Sequence, residues 1–290
     1  MAITLGGGGS ASVINETIDI NSAENLITLD DGRVYLKGGV TETNVAAYPD
    51  ATSSFAYSGT SFSANSQTNY PTDIAWDGTH FWVLSSYNPE GVFKYTAAGV
   101  YTGTSFSVDA QVNDPTSITW DGTHFWVLSN GNDSVFKYTT AGVYTGTSFS
   151  VASQSSVPRG ITWDGTHFWV MGYTNKTVYK YNASGVYQNV SFSIAAQEPY
   201  PQGLTWDGTY FYVSGTGNNS FLKYSADGTF IANLISVYPQ ETSIQGILAV
   251  GTDLWAIGLS NDTAYKYQAQ IGIGSQGGTE YGNQNYMRIK

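Results

Sequence analysis

Few residues in this 290-residue chain have the types and spacing that chemistry needs. There are three histidines, His80, His124 and His167, and all stand at the same position of a repeated motif. A metal centre requires its ligands to converge on one ion. Residues at equivalent positions of successive repeat copies diverge instead, so these histidines are expected to be polar partners at strand starts. Asp77, Asp121, Asp164 and Asp207 recur at the adjacent turn. They are expected to cap their own hairpins rather than to act as a general acid and base. Cysteine is absent, which excludes disulfides and a thiol nucleophile. There is no Gly-x-Ser-x-Gly elbow in a strand–helix context, and the glycine run 6–9 lacks the lysine and helix of a phosphate loop. Asp133, Asp253 and Asp262 could hold a surface cation, but no loop has a calcium-type spacing. No catalytic residue, metal site or cofactor is therefore expected, and the chain is not read as an enzyme.

What positions these residues is a repeat. The tryptophan of a Trp-Asp-Gly step falls at Trp76, Trp120, Trp163 and Trp206, at spacings of 44, 43 and 43. A Lys-Tyr step falls at Tyr95, Tyr138, Tyr181, Tyr224 and Tyr267, four intervals of 43. Each unit has four short segments rich in aromatic and β-branched residues, which favour strands. Asp-Gly between the first two is a hairpin signal, because glycine accepts positive φ without steric cost. Four antiparallel strands in about 43 residues, repeated around a ring, are the mark of a propeller blade. The expectation is all-β, a six-bladed β-propeller over 13–268. A flexible or assembly arm precedes it (1–12) and a tail follows (269–290).

The first of the six copies is degenerate. In residues 26–36, Leu29 replaces the tryptophan and Asp31-Gly32 supplies the turn; residues 55–63 match the later fourth strands. The sixth copy, 245–267, lacks a fourth strand, and residues 13–20 offer a spare one that would close the last blade and hide two sheet edges. Residues 271–273 are the competing candidate. Ile74-Ala75, Ile118-Thr119, Ile161-Thr162 and Leu204-Thr205 would line or back the axial channel. Trp82, Trp126, Trp169 and Trp255, with Tyr212 in the fifth copy, would pack between blades.

The net charge of -11 argues against nucleic acid, because no basic patch can be large. It also disfavours an anionic membrane surface, and no apolar run reaches the ~20 residues that span a bilayer. The N-terminus lacks the basic and apolar regions of a secretory signal. The parts that vary between copies are the loops joining second and third strands and the connections before each blade. The candidate binding residues there are Tyr87, Asn88, Asn130, Asn132, Asp133, Tyr173, Asn175, Asn218, Asn219, Asn261 and Asp262. Loops on a rigid ring are where binding concentrates, and tyrosine and asparagine suit sugar or protein surfaces. Asparagine and glycine are equally ordinary turn residues.

The motif Gly-Ile-Thr-Trp-Asp-Gly-Thr-His-Phe-Trp-Val, with Val-Phe-Lys-Tyr and Tyr-Thr-Gly-Thr-Ser-Phe-Ser, resembles repeats of tail-fibre and other structural proteins of tailed bacteriophages. Residues 1–10, the block 34–39 with 48–50, and the ending 286–290 look like the same class. The resemblance covers about residues 27–268. The strand order also resembles that of NHL-type propellers, which mediate protein or ligand binding. The resemblance implies a tail or head appendage, exposed on the virion and assembled in the host cytoplasm. Its implied partners are other virion proteins, further copies of itself and a host surface glycan; it carries no catalytic motif. A free sugar- or protein-binding propeller, not part of a particle, is the alternative.

Overall fold

The computed structural model describes residues 26–28, 34–37, 54–87, 90–237, 240–270 and 286–289. The chain divides into two units, Met1–Ser53 with Ile271–Lys290, and Ser54–Gln270. In the first unit, β1 (Leu26–Thr28) pairs antiparallel with β2 (Val34–Lys37). The second unit begins with β3 (Ser54–Ser63) and is a β-propeller of five four-stranded antiparallel blades. Blade one is β4 (Pro71–Trp76), β5 (His80–Ser85), β6 (Gly91–Thr96) and β7 (Tyr101–Ser107). Blade two is β8 (Pro115–Trp120), β9 (Phe125–Ser129), β10 (Ser134–Tyr138) and β11 (Tyr144–Ser150). Blade three is β12 (Pro158–Trp163), β13 (His167–Gly172), β14 (Thr177–Asn182) and β15 (Tyr187–Ser193). Blade four is β16 (Pro201–Trp206), β17 (Phe211–Gly215), β18 (Ser220–Tyr224) and β19 (Phe230–Ser236). Blade five is β20 (Ile244–Val250), β21 (Asp253–Gly258), β22 (Thr263–Gln270) and, returning to the start, β3. Among the described residues no helix is long and apolar enough to cross a membrane.

Five blades replace the expected six. Residues 26–36 do not build a blade: β2 takes β23 (Tyr286–Ile289) as its other neighbour, with Val34 opposite Ile289, in a small three-stranded sheet. The segment has no counterpart of the second-strand tryptophan with which a blade reaches its neighbour. The place in the last blade expected for residues 13–20 is taken by another strand. The missing strand is β3, which the repeat pattern had assigned to the first copy; Thr263 faces Ser63 and Ala264 faces Phe62. The propeller thus occupies 54–270 rather than 13–268. Residues 1–12, 13–20 and 271–273 lie outside the described residues.

Ring packing follows from two recurring contacts. The second-strand tryptophan reaches the next blade: Trp82 to Phe125 at 4.7 Å, Trp126 to Phe168 at 4.6 Å, Trp169 to Phe211 at 4.8 Å. Trp255 meets Phe81 at 4.7 Å and so joins blade five to blade one. In blade four Tyr212 takes this role against Phe55 at 6.4 Å. All five are at most 5% exposed, as core packing requires. The second contact is a close approach. A Cβ on Gly185 would fall 2.1 Å from the Phe149 ring of the preceding blade, and Gly99, Gly142 and Gly228 meet Phe62, Phe106 and Phe192 in the same way. Glycine is the residue that allows this spacing while also adopting a φ of 76° at 185.

In blades one to three the third-strand tyrosine ends at a glutamine in the connection before its blade. Tyr95, Tyr138 and Tyr181 donate to the Oε1 atoms of Gln67, Gln111 and Gln154 at 3.0, 3.4 and 3.1 Å. Burial pushes these phenols well above their ordinary range. Tyr267 of blade five donates to the Val237 carbonyl at 3.4 Å, and the Tyr224 hydroxyl of blade four is buried without a partner.

Candidate functional site

The turn between first and second strands is built locally. In blade three, Asp164 Oδ1 accepts the amides of Thr166 at 2.8 Å and His167 at 2.7 Å, while Oδ2 accepts Trp169 Nε1 at 2.7 Å. Gly165 supplies the turn's φ of 94°. The aspartate therefore does cap its hairpin, and it also fixes the tryptophan edge. Blades one and two repeat the pattern through Asp77 with Trp82 and Asp121 with Trp126, both at 2.7 Å. Blade four substitutes the Tyr212 hydroxyl, at 2.8 Å from Asp207. Burial pushes Asp77 upward, but hydrogen bonds from Trp82, His80 and Thr79 outweigh it and hold this carboxyl below its ordinary value.

These turns frame a groove between blades three and four with a volume of about 310 Å³. Asp164, Thr166, His167, Trp169 and Lys180 come from blade three; Trp206, Phe211 and Ala226 come from blade four. His167 Nδ1 lies 3.7 Å from Asp164 Oδ2, and its side chain is 27% exposed. Lys180 Nζ stands 5.1 Å from the Trp169 ring centroid, a cation–π distance. Trp206 lies at 4.5 Å on Phe211. The groove thus sets the half-buried Trp206 ring beside a cation, an imidazole and a threonine, with Trp169 and Phe211 buried at 4% and 1% exposure.

The same side chains recur around part of the ring. Between blades one and two they are Asp77, His80, Trp82 and Lys94 beside Trp120 and Phe125, with Lys94 5.0 Å from the Trp82 ring. Between blades two and three they are Asp121, His124, Trp126 and Lys137 beside Trp163 and Phe168. After blade four the set changes. Tyr210 and Tyr212 replace histidine and tryptophan, and Lys223 Nζ sits 3.6 Å from the Tyr210 ring. Burial, partly opposed by Asp207, pulls this lysine below its ordinary pKa. In blade five Lys266 is instead paired to Asp253 at 2.7 Å.

Trp76, Trp120, Trp163 and Trp206 are not buried like the second-strand set. They are half-buried and line an axial cavity of about 130 Å³ with Ile118, Thr119, Ile161, Thr162 and their equivalents, as expected of the first-strand residues. Ala249 stands at the fifth position, opposite Leu254 as Trp76 is opposite Phe81. Trp206 belongs to both the axial cavity and the groove.

The candidate loop residues that the structure describes lie on the opposite rim, and five of the asparagines are held by their own blade. Asn132 Oδ1 accepts the Asn113 amide at 2.8 Å and the Ser129 hydroxyl at 2.7 Å. Asn175, Asn218 and Asn261 donate through Nδ2 to the carbonyls of Gln154, Gln197 and Gln240 at 2.6, 2.8 and 3.4 Å. Asn130 donates to Asp114 at 2.6 Å. These asparagines stitch each turn to the preceding connection. Asp133, Asn219 and Asp262 occupy the left-handed region at φ of 46°, 45° and 50°. Tyr87 is 62% exposed, with its ring 5.8 Å from Tyr70. Tyr173 stacks on Tyr200 at 6.4 Å, and the Arg159 guanidinium lies 5.6 Å from the Tyr173 ring. Asn88 lies outside the described residues. Among the described residues no three His, Cys, Asp or Glu side chains converge as a metal cluster.

The groove residues His167, Lys180 and Trp206 were not among the sequence candidates for binding. Their signal was present: polar, partly exposed residues copied with the scaffold, although blade five folds without the histidine or the turn aspartate.

No protein-family model and no curated protein matches the chain. Among solved structures, the glutaminyl cyclase of Myxococcus xanthus aligns with a TM-score of 0.59 at 8% identity, covering 82% of this chain and 98% of that chain. A streptogramin B lyase aligns with a TM-score of 0.45 at 17% identity, covering 88% of this chain and 83% of that chain. Virginiamycin B lyase from Staphylococcus aureus has the same score and identity, covering 84% of this chain and 80% of that chain. At 8% identity the cyclase alignment is a likeness of fold: the chain is a β-propeller.

Proposed function

We propose that this chain is a virion structural protein of a tailed bacteriophage, a tail or head appendage, that binds a neutral host-surface glycan in its inter-blade grooves. The observation that carries the glycan reading is the groove between blades three and four, with the half-buried Trp206 ring and the polar side chains of His167, Lys180 and Thr166. A sugar ring offers apolar C–H faces to stack on aromatics and hydroxyls to meet donors and acceptors. The volume, about 310 Å³, lies at the low end of small-molecule pockets, which run from roughly 300 to 1,000 Å³, and suits one terminal sugar rather than a long chain. Recurrence of the same side chains at two further blade junctions supports multivalent binding, in which weak single sites add up on a surface that displays many copies.

A binding role fits better than catalysis. Asp164 has both carboxylate oxygens occupied by N–H donors, which leaves it poorly placed as a general base. The virion placement rests on the resemblance of the repeats to tail-fibre sequences, and a low charge content with abundant Ser, Thr, Asn and Gly suits a particle surface.

Glycan-array screening of the full chain tests the binding reading, followed by titration with the strongest ligand. The expected result is a neutral glycan bound at three sites, with loss of one site in Lys180→Ala. Absence of binding to any glycan sinks that reading. Immunogold labelling of particles from the source tests the placement separately. Label confined to free protein would leave a sugar-binding propeller that is not part of a particle.

A further inference from the structure

One position in the connection before each blade is read differently around the ring. It is Thr68, Val112, Ser155, Glu198 and Glu241 in blades one to five. The residue ending the second strand changes with it: Ser85, Ser129, Gly172, Gly215 and Gly258. In blade one the two hydroxyls of Thr68 and Ser85 bond each other at 2.7 Å. In blades four and five, glycine makes room for a buried carboxylate. A Cβ on Gly215 would fall 2.4 Å from the Glu198 carboxyl carbon, and one on Gly258 2.5 Å from that of Glu241.

Both glutamates are 0% exposed. Glu241 Oε1 accepts the amides of Ser243 at 2.7 Å and Ser260 at 3.2 Å, while Oε2 is buried without a partner. The bond to Ser260, with that from Asn261 to the Gln240 carbonyl, brings Asp262 to the same corner. Asp262 is 9% exposed, and its Oδ1 is likewise buried without a partner. Blade four repeats the arrangement with one charge fewer: Glu198 Oε2 and Asn219 Oδ1 are both buried and unpartnered. A buried ion without a partner is costly, and two acceptors at one corner cannot satisfy each other.

We infer that Glu241 Oε2 and Asp262 Oδ1 form a binding site for a hard divalent cation of the calcium type, and that Glu198 and Asn219 form a weaker copy in the preceding blade. Two carboxylates alone do not complete the six to eight oxygens calcium takes; main-chain carbonyls and water must supply the rest. An affinity in the range of weak extracellular calcium modules, on the order of 10⁻⁴ M, is expected for blade five.

The test is thermal melting and calorimetric titration of the full chain after chelation, with calcium and with magnesium. Calcium should raise Tm, and magnesium less. Asp262→Asn and Glu241→Gln should each weaken calcium at least about tenfold, since affinity follows ligand charge. Asp133→Asn is the control. Asp133 is an equivalent left-handed aspartate whose Oδ1 is also buried without a partner, but its blade has Val112 where blade five has Glu241, so the second carboxylate is missing and the calcium response should be unchanged. No calcium effect on the parent, an effect retained in the Glu241→Gln/Asp262→Asn double variant, or equal loss in Asp133→Asn would each overturn the assignment. So would a calcium-independent gain in Tm at acid pH, which would make the pair a shared proton instead.

Discussion

Blades three and five share a backbone and differ in what lines it. Both place a second-strand tryptophan against the next blade, Trp169 and Trp255, and both bury a third-strand tyrosine, Tyr181 and Tyr267, to 1% or less. Blade three adds a turn aspartate holding that tryptophan, a partly exposed histidine and a half-buried tryptophan at the axial cavity. Blade five has Asp253 paired to Lys266 and Ala249 at the cavity, with no histidine. Closing a blade thus takes the inter-blade aromatic and the buried tyrosine. The aspartate–histidine turn and the axial tryptophan are additional to what the fold needs, and three blades keep both.

The largest expected effect falls on the shared part. Trp126→Ala and Trp255→Ala should each cost about 3–5 kcal/mol, as truncation of a buried aromatic does. Equilibrium denaturation measures both. A cost below about 1 kcal/mol for Trp255 alone would break the comparison, because blade five would then not depend on the contact that defines the others.

Next comes the axis, where the blades are not equivalent. Asp73 stands where the other blades have Ser117, Gly160, Gly203 and Gly246. It is 3% exposed; Oδ2 accepts the Ser117 hydroxyl and the Ile118 amide, while Oδ1 is buried without a partner beside Gly246. Burial outweighs these hydrogen bonds and pushes its pKa up to about 7. A folded pKa raised above the unfolded value means the folded state keeps a proton the unfolded chain has released. Stability from this group therefore falls as pH rises from about 4 to 7 and levels off above, by roughly 4 kcal/mol for a shift of about three units. Asp73→Asn should remove that slope and exceed the parent in stability at pH 8. Denaturant midpoints across pH compare the two; parallel curves would show that Asp73 does not titrate in this window.

A smaller effect tests the close approach between blades. Gly185→Ala must move Phe149 and also strain a φ of 76°, which points to a loss of about 1–3 kcal/mol. Gly165→Ala strains φ alone, with nothing within 4 Å of the added Cβ, and should cost less. Urea midpoints of the two variants order them directly.

The features legible from residues alone were those with local causes. Asp164 reaches only to the amides two and three residues on, so turn and cap are written in adjacent positions. The inter-blade role of Trp82, Trp126 and Trp169 followed from a strand aromatic repeated at 43–44 residues. The blade count was not legible by inspecting hairpins, because residues 26–36 imitate one through Asp31-Gly32. Their true neighbour, Tyr286–Ile289, lies at the far end of the chain, and such pairing leaves no local mark. The Lys-Tyr step, which counts five in well-formed copies, was the better guide. The loop asparagines read as free hydrogen-bonding groups because asparagine is polar, yet Asn132 and Asn175, although exposed, have their side-chain amides engaged by main-chain partners. The groove was hidden for the opposite reason. Its walls come from two blades, and residues copied with the scaffold read as scaffold.

The smallest effect on stability is the one that bears most on function. His167→Ala removes a partly exposed side chain whose Nδ1 stands 3.7 Å from Asp164, beyond a hydrogen bond. Its amide keeps its bond to Asp164, because that bond is main-chain. The cost in stability should stay within about 0.5 kcal/mol, as for surface substitutions away from structural features. Glycan binding at the groove between blades three and four should nevertheless fall, while the two equivalent junctions with His80 and His124 should keep theirs, so titration should lose one site of three. The triple variant at His80, His124 and His167 should fold as the parent does and lose binding throughout. If the triple variant instead unfolds readily, the histidines serve the scaffold, and the distinction between blades three and five loses its functional meaning. If it folds and binds unchanged, the copied turn is a structural habit of the repeat, and recognition belongs to the opposite rim, where Tyr70–Tyr87 and Tyr173–Tyr200 present their rings.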